Sequence, residues 1–162
     1  MIYIVDFGSQ VTQLIARRVR EAGVYCEIIS NNSLLKNIEK TGCSGIIFSG
    51  GPASVHKANT PKIDKKAFDL NIPILGICYG MQLICYQLGG KVQLSKKREF
   101  GKTLIKPSKR SILFTGFNKG KTSSHVWMSH GDKVINLPKG FTSIASSSCL
   151  LYTSPSPRDA TL

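Results

Sequence analysis

Apolar runs alternate with amphipathic ones through the first half of the chain. Ile2–Asp6 is short, apolar up to its last residue and closed by turn residues, the pattern of a strand buried on both faces of a parallel sheet. The spacing over residues 10–22 predicts a helix. Val11, Leu14, Ile15 and Val19 share one face, Arg17, Arg18, Arg20 and Glu21 lie elsewhere, and Gly23 supplies the stop. Residues 25–29 read as a second strand, Asn31-Asn32-Ser33 as a turn and cap, and Leu34–Lys40 as a short helix. Gly45–Phe48 is a third strand, running into Ser49-Gly50-Gly51-Pro52. Residues 62–70 have a helical pattern, 72–77 form a fourth strand, and 81–88 a helix that stops at Gly89-Gly90.

Strands and helices at this spacing make βαβ units with right-handed crossovers. The fold class is therefore α/β: a doubly wound, mostly parallel sheet with helices on both faces. Ligands bind such sheets beyond the carboxyl ends of the strands. Three glycine-bearing turns fall there: Phe7-Gly8-Ser9, Ser49-Gly50-Gly51-Pro52 and the turn from Gly76 to Gly80. The second half is less regular. Short strands are expected at 91–94, 103–105, 111–114, 126–128, 134–137 and 143–147, a smaller antiparallel portion. From Thr153 to Asp159 neither periodicity nor apolar content persists, so a disordered tail is expected.

Composition narrows the class. The 162 residues suffice for one domain. No apolar run approaches the roughly 20 residues of a membrane span, and the start lacks the marks of a secretory leader, so no membrane partner and a cytoplasmic location are expected. The five cysteines are odd in number, none forms a Cys-x-x-Cys pair, and the histidines are not spaced beside them as zinc ligands. Free thiols and no metal site are the expectation. The net charge of +13 is the oddest bulk property. Lys96, Lys97, Arg98, Lys102, Lys106, Lys109, Arg110, Lys119 and Lys121 stand against the single acid Glu99. A solvated basic face is the first reading and a surface for another protein domain the second. Nucleic acid comes last, because the stretch carries little aromatic interleaving.

The sharpest chemical feature is Gly76-Ile77-Cys78-Tyr79-Gly80, which follows a strand and opens a helix. It is the thiol counterpart of the Gly-x-Ser-x-Gly nucleophile elbow. A tight strand-to-helix turn strains the backbone and lifts the side chain above the sheet, and the flanking glycines avoid collisions with neighbouring backbone. The helix N-terminus favours thiolate and predicts a lowered thiol pKa. The bland reading is a buried cysteine on a tight turn. Gly50-Gly51 can offer a backbone N–H to an oxyanion, with Tyr79 N–H as second donor. His56, His125 and His130 are the candidate bases, and His130, in Met128-Ser129-His130-Gly131-Asp132, is the tempting one, although sequence does not place its ring near Cys78. Asp6-Phe7-Gly8 is no kinase motif, lacking the catalytic loop and lysine before it.

These residues resemble the class I, triad-type glutamine amidotransferase domain that begins bacterial GMP synthases. The resemblance is carried by Ile4-Val5-Asp6-Phe7-Gly8-Ser9-Gln10, the run from Gln13 to Glu21, Gly23-Val24-Tyr25-Cys26-Glu27, Ser49-Gly50-Gly51-Pro52, Gly76-Ile77-Cys78-Tyr79-Gly80-Met81-Gln82, Arg98-Glu99-Phe100-Gly101 and Val126-Trp127-Met128-Ser129-His130-Gly131-Asp132. It implies that Cys78 attacks the side-chain amide of glutamine while the N–H groups of Gly51 and Tyr79 hold the oxyanion. Gly50, Gln82, Ser129, His130, Gly131 and Asp132 would bind the substrate, the last four also facing a synthetase domain. No cofactor is implied in this domain. ATP and Mg2+ belong to the ATP-pyrophosphatase (synthetase) partner domain, which adenylylates XMP and uses the ammonia to make GMP.

The family's triad histidine and glutamate come from a His-Pro-Glu segment that this sequence does not contain. His130 falls in a different family motif, so the resemblance does not make it the base. Residues 1–149 are expected to form an incomplete, C-terminally truncated amidotransferase domain, and 150–162 a non-family tail, disordered or artefactual. The alternatives are a catalytically dead or partner-dependent fragment, a Cys-elbow peptidase and a nucleic-acid module.

Overall fold

The computed structural model describes residues 1–40, 42–108, 111–115, 123–147 and 151–153, with backbone alone at 95–100, 128–131 and 151–153. The chain divides into two compact units, Met1–Gln87 and Leu88–Leu162.

The first unit is a four-stranded parallel sheet of β1 (Ile2–Asp6), β2 (Cys26–Ser30), β3 (Gly45–Phe48) and β4 (Ile74–Gly76), in the order β2-β1-β3-β4. Tyr3, Ile4 and Val5 are all buried, as the unbroken apolar run requires of a strand covered on both faces. The strand order reverses direction between β1 and β3, so the crevice at their carboxyl ends is the topological switch point. Helix α1 (Thr12–Glu21) lays Ala16 on Ile4, Cys26 and Ile47, with Ile15 and Val19 packed beside it. Its core face is narrower than the sequence pattern: Val11 and Leu14 remain about half exposed. Helix α2 (Leu34–Lys40) lies as expected, and α3 (Tyr79–Gln87) starts two residues earlier than expected, directly after Cys78.

Residues 62–70 do not form an α-helix. They make a 3-10 turn at Lys65–Asp69, headed by Asp64, whose side chain accepts from Lys66 N at 3.0 Å. Asn71 follows at φ +55, so the segment ends before a second helical turn can build.

In the second unit, β5 (Lys91–Pro107), β6 (Ser124–Asn136), β7 (Ser143–Ser146) and β8 (Leu151–Thr153) form an antiparallel sheet ordered β6-β5-β7-β8. The strands expected at 91–94 and 103–105 are one strand, and those at 126–128 and 134–137 are another. What reads as a break in the sequence is a register shift between Leu94 and Glu99 within continuous pairing. The strand expected at 111–114 is instead a 3-10 turn, Ile112–Phe114, with Ser111 Oγ accepting from Leu113 N at 3.3 Å. Val92, Ile105, Val134, Ile144 and Ala145 are buried. The expected disordered tail begins at Thr153, which pairs with Ser143 as the last residue of β8; residues 154–162 lie outside the described set. No helix among the described residues is long and apolar enough to cross a membrane.

Candidate active site

Strand β4 ends at Gly76, and two residues later the chain turns into α3. Cys78 sits on that turn at φ +50, a left-handed conformation that costs a non-glycine residue about 1–2 kcal/mol. The residue is exposed. The glycines on either side explain how the turn fits. A Cβ on Gly76 would lie 2.7 Å from the backbone N and Cα of Met81, and one on Gly80 would lie 2.4 Å from the carbonyl oxygen of Phe48. Gly80 N donates to Ser49 O at 3.1 Å and to Ile77 O at 3.0 Å, while Ile77 N donates to Phe48 O at 2.9 Å. The elbow is thus pinned to the end of β3 on both sides of Cys78.

The turns after β1 and β3 meet beside it. Ser49, fully buried, accepts from Phe7 N at 3.1 Å and donates to Gly50 O at 2.9 Å. Gly51 lies so close over Phe7 that a Cβ would fall 2.5 Å from the Phe7 carbonyl oxygen. Gly50 lies between the two chemical groups of the crevice: its Cβ position is 3.5 Å from Cys78 Cβ and 3.5 Å from Ser9 Oγ. Tyr79, as the first residue of α3, has an N–H without an intrahelical acceptor. Among the described residues the Gly51 N–H likewise meets no acceptor. Tyr79 is otherwise structural, its buried ring 5.3 Å from that of Phe7 and its hydroxyl donating to Pro61 O at 2.6 Å.

Gln82 stands one turn along α3, its N–H donating to Cys78 O at 3.1 Å and its side chain 4% exposed. Ser129, His130, Gly131 and Asp132 lie in the second unit on β6, where Ser129 pairs with Phe100, His130 with Glu99 and Asp132 with Leu94, and Asp132 is buried. His56 is the one histidine of the first unit. Its ring meets the ring of Tyr86 at 5.8 Å, and Tyr86 is eight residues past Cys78, about 12 Å along a helix axis. That places His56 by the far end of α3 from the sulfur. Ser9 and Ser49 were not singled out by sequence reasoning. Their signal was a hydroxyl residue at the carboxyl end of each strand flanking the switch point.

The thiol corrects one expectation. Although Cys78 is exposed as a residue, the packing around its sulfur partly desolvates the thiol and pushes its pKa above the ordinary thiol range. The N-terminus of α3 acts the other way, by about 0.3–1 kcal/mol.

A family model described as glutamine amidotransferase class-I matches residues 3–150. The chain belongs to the class I glutamine amidotransferases. This amidotransferase domain is 55% identical over 146 residues to the GMP synthase [glutamine-hydrolyzing] of Agrobacterium fabrum, covering 90% of the chain. It is 54% identical over 146 residues to the enzyme of the same name from Caldicellulosiruptor saccharolyticus. The chain spans 28% of the length of each. The crystal structure of a GMP synthase-type protein from Thermoplasma acidophilum matches at 35% identity and a TM-score of 0.75, over 96% of this chain and 79% of that one. The amidotransferase domain thus has the class I fold that the resemblance implies, its parallel sheet being the α/β architecture that the alternating pattern predicts, with the antiparallel portion as a separate sheet.

Proposed function

We propose that the domain hydrolyses glutamine at Cys78 and delivers ammonia for the conversion of XMP to GMP. The observation that carries the reading is the elbow itself: an exposed thiol at φ +50, beside Gly50, with the acceptor-free N–H groups of Gly51 and Tyr79. The Cys78 sulfur attacks the side-chain carbonyl carbon of glutamine. A C–S bond forms, and the negative charge that develops on oxygen meets the two N–H groups, the kind of aligned donor worth about 10²–10³ in rate. Collapse expels the amide nitrogen as ammonia, which takes up the thiol proton, and leaves a γ-glutamyl thioester. Water then releases glutamate and restores the thiol. The thiol proton must leave the sulfur as the C–S bond forms, so a proton acceptor acts during attack, and the position of His56 makes it unsuited to that role.

Gln82, one turn past the nucleophile on α3, contributes to glutamine binding in this reading. The similarity to GMP synthases supports ATP and Mg2+ acting on a synthetase portion rather than on this domain, in the cytoplasm, without nucleic acid or membrane. The place of His56 also favours a partner-dependent form of the same reading, in which the proton acceptor comes from outside the elbow.

The test is covalent labelling with a glutamine-like diazo-ketone, read by intact and peptide mass. Cys78 takes up one equivalent, excess glutamine protects it, and Cys78→Ala abolishes both labelling and any ammonia release. Labelling of Cys78 no faster than that of Cys43, or ammonia release that survives Cys78→Ala, rules the reading out.

A further inference from the structure

The slot above Gly50 has a second wall that the proposed chemistry does not yet use. The position a Gly50 Cβ would occupy is 3.5 Å from Cys78 Cβ, 3.5 Å from Ser9 Oγ and 3.8 Å from Ser9 Cβ. A group of methyl size at that position is in contact with both the Cys78 and the Ser9 side chains. The turn that carries Ser9 is fixed at several points. Asp6 Oδ1 accepts from Gly8 N at 3.0 Å and from Thr12 Oγ1 at 2.8 Å, and Ser9 O accepts from Thr12 N at 3.4 Å and Thr12 Oγ1 at 3.2 Å. Gly8, at φ +86, packs on Pro52. Among the described residues Ser9 Oγ accepts one hydrogen bond, from Val11 N at 3.2 Å. A hydroxyl oxygen has two lone pairs, so one remains for a donor in the slot.

A primary carboxamide offers two polar edges. In the proposed reaction, on which this inference rests, the N–H groups of Gly51 and Tyr79 take the carbonyl oxygen. The other edge is the NH2 group, a donor, which needs an acceptor. We propose that Ser9 Oγ accepts from that NH2 group and so acts as a specificity-determining residue, distinguishing a carboxamide from an ester of the same shape. An ester presents no donor to Ser9, whereas a carboxylate can still take the hydroxyl's own proton as a hydrogen bond. The chemistry is that of a site built to bond one group, which discriminates against analogues lacking it because its own polar atom is left unmet.

A binding experiment on the full chain tests this without requiring turnover. Cys78 is labelled with the diazo-ketone, which has no carboxamide NH2 group, and glutamine or glutamate γ-methyl ester is added as protecting ligand. In Ser9→Ala, the glutamine concentration giving half-protection should rise about 3- to 10-fold, the value of one hydrogen bond. Protection by the ester, and the unprotected labelling rate, should stay as in the wild type. Ser9→Thr, which keeps the oxygen, should restore protection by glutamine. Equal losses of protection by both ligands would make Ser9 a structural support of its turn and overturn the assignment. Unchanged protection by glutamine would overturn it as well. If wild-type Cys78 is not labelled by the diazo-ketone although iodoacetamide alkylates it, the glutaminase reading fails, and the Ser9 assignment falls with it.

Discussion

Cys78 and its glycines show how differently single atoms weigh at one turn. A methyl group on Gly80 would press on the Phe48 carbonyl at 2.4 Å, where backbone meets backbone and nothing can swing aside. Gly80→Ala should therefore lower stability by about 1–3 kcal/mol or more, read as a drop in the urea midpoint. Gly50→Ala sets its methyl at ordinary contact distance, 3.5 Å from its neighbours. It should stay within about 1 kcal/mol of wild type by the same measurement, yet slow diazo-ketone labelling of Cys78 because the slot is filled. The thiol gives a pH signature. With its pKa raised by desolvation, alkylation of Cys78 by iodoacetamide should keep accelerating at pH values where an ordinary cysteine, titrating near about 8.5, has levelled off. The sign for stability follows. The folded state holds this proton more tightly, so its contribution is intact below the ordinary thiol range and is lost as pH rises through the raised pKa. The glycine spacing made the elbow legible in sequence, since only a close approach needs two glycines flanking one cysteine. The direction of the thiol shift was not legible, because desolvation depends on walls brought from β3 and α3.

Among the elements, the ends of β1 and β3 are joined by one hydroxyl. Ser49→Ala would remove the acceptor of Phe7 N and leave a buried N–H unmet. A loss of about 1–3 kcal/mol is expected, measured by urea unfolding. Strands β1 and β3 could be read residue for residue, since a strand buried on both faces is a bare apolar run with turn residues after it, whereas β2 is offset by one residue from the expected 25–29 and β4 covers only Ile74–Gly76 of the expected 72–77. The helix expected at 62–70 failed because apolar spacing does not distinguish an α-helix from a 3-10 turn, and Asp64 and Asn71 close this one after five residues. In β5 and β6 the alternation lapses where the register shifts between Leu94 and Glu99, so two continuous strands looked like four short ones. The register also sets Trp127, six residues past the end of the basic stretch at Lys121, across from Lys102 within it.

At the scale of the molecule, the charge of +13 and the division into two units have a common reporter. Trp127 is the chain's one tryptophan, it belongs to the second unit, and it is 79% exposed. Its emission in the native state should already be that of a solvated indole. Iodide should quench it more strongly than caesium at low ionic strength, drawn by Lys102 and the surrounding positive field, and the difference should vanish in high salt. Equal quenching by the two ions would mean that the basic residues do not act at this face. Unfolding followed by this fluorescence reports on the second unit, so changes placed at Ser49 or Gly80 should be followed by circular dichroism instead.

The contact between Gly80 and Phe48 has a consequence for how such a domain can change over generations. With the helix resting directly on the strand's main chain, the spot admits a hydrogen atom and nothing larger. A lineage can therefore alter what the crevice accepts by exchanging residues on the loops around it, and it can retire the nucleophile by a single replacement at Cys78. It cannot enlarge residue 80 without first lifting α3 off the sheet. The scaffold should outlast the chemistry, and descendants that have lost the cysteine should still carry the glycine two places after it.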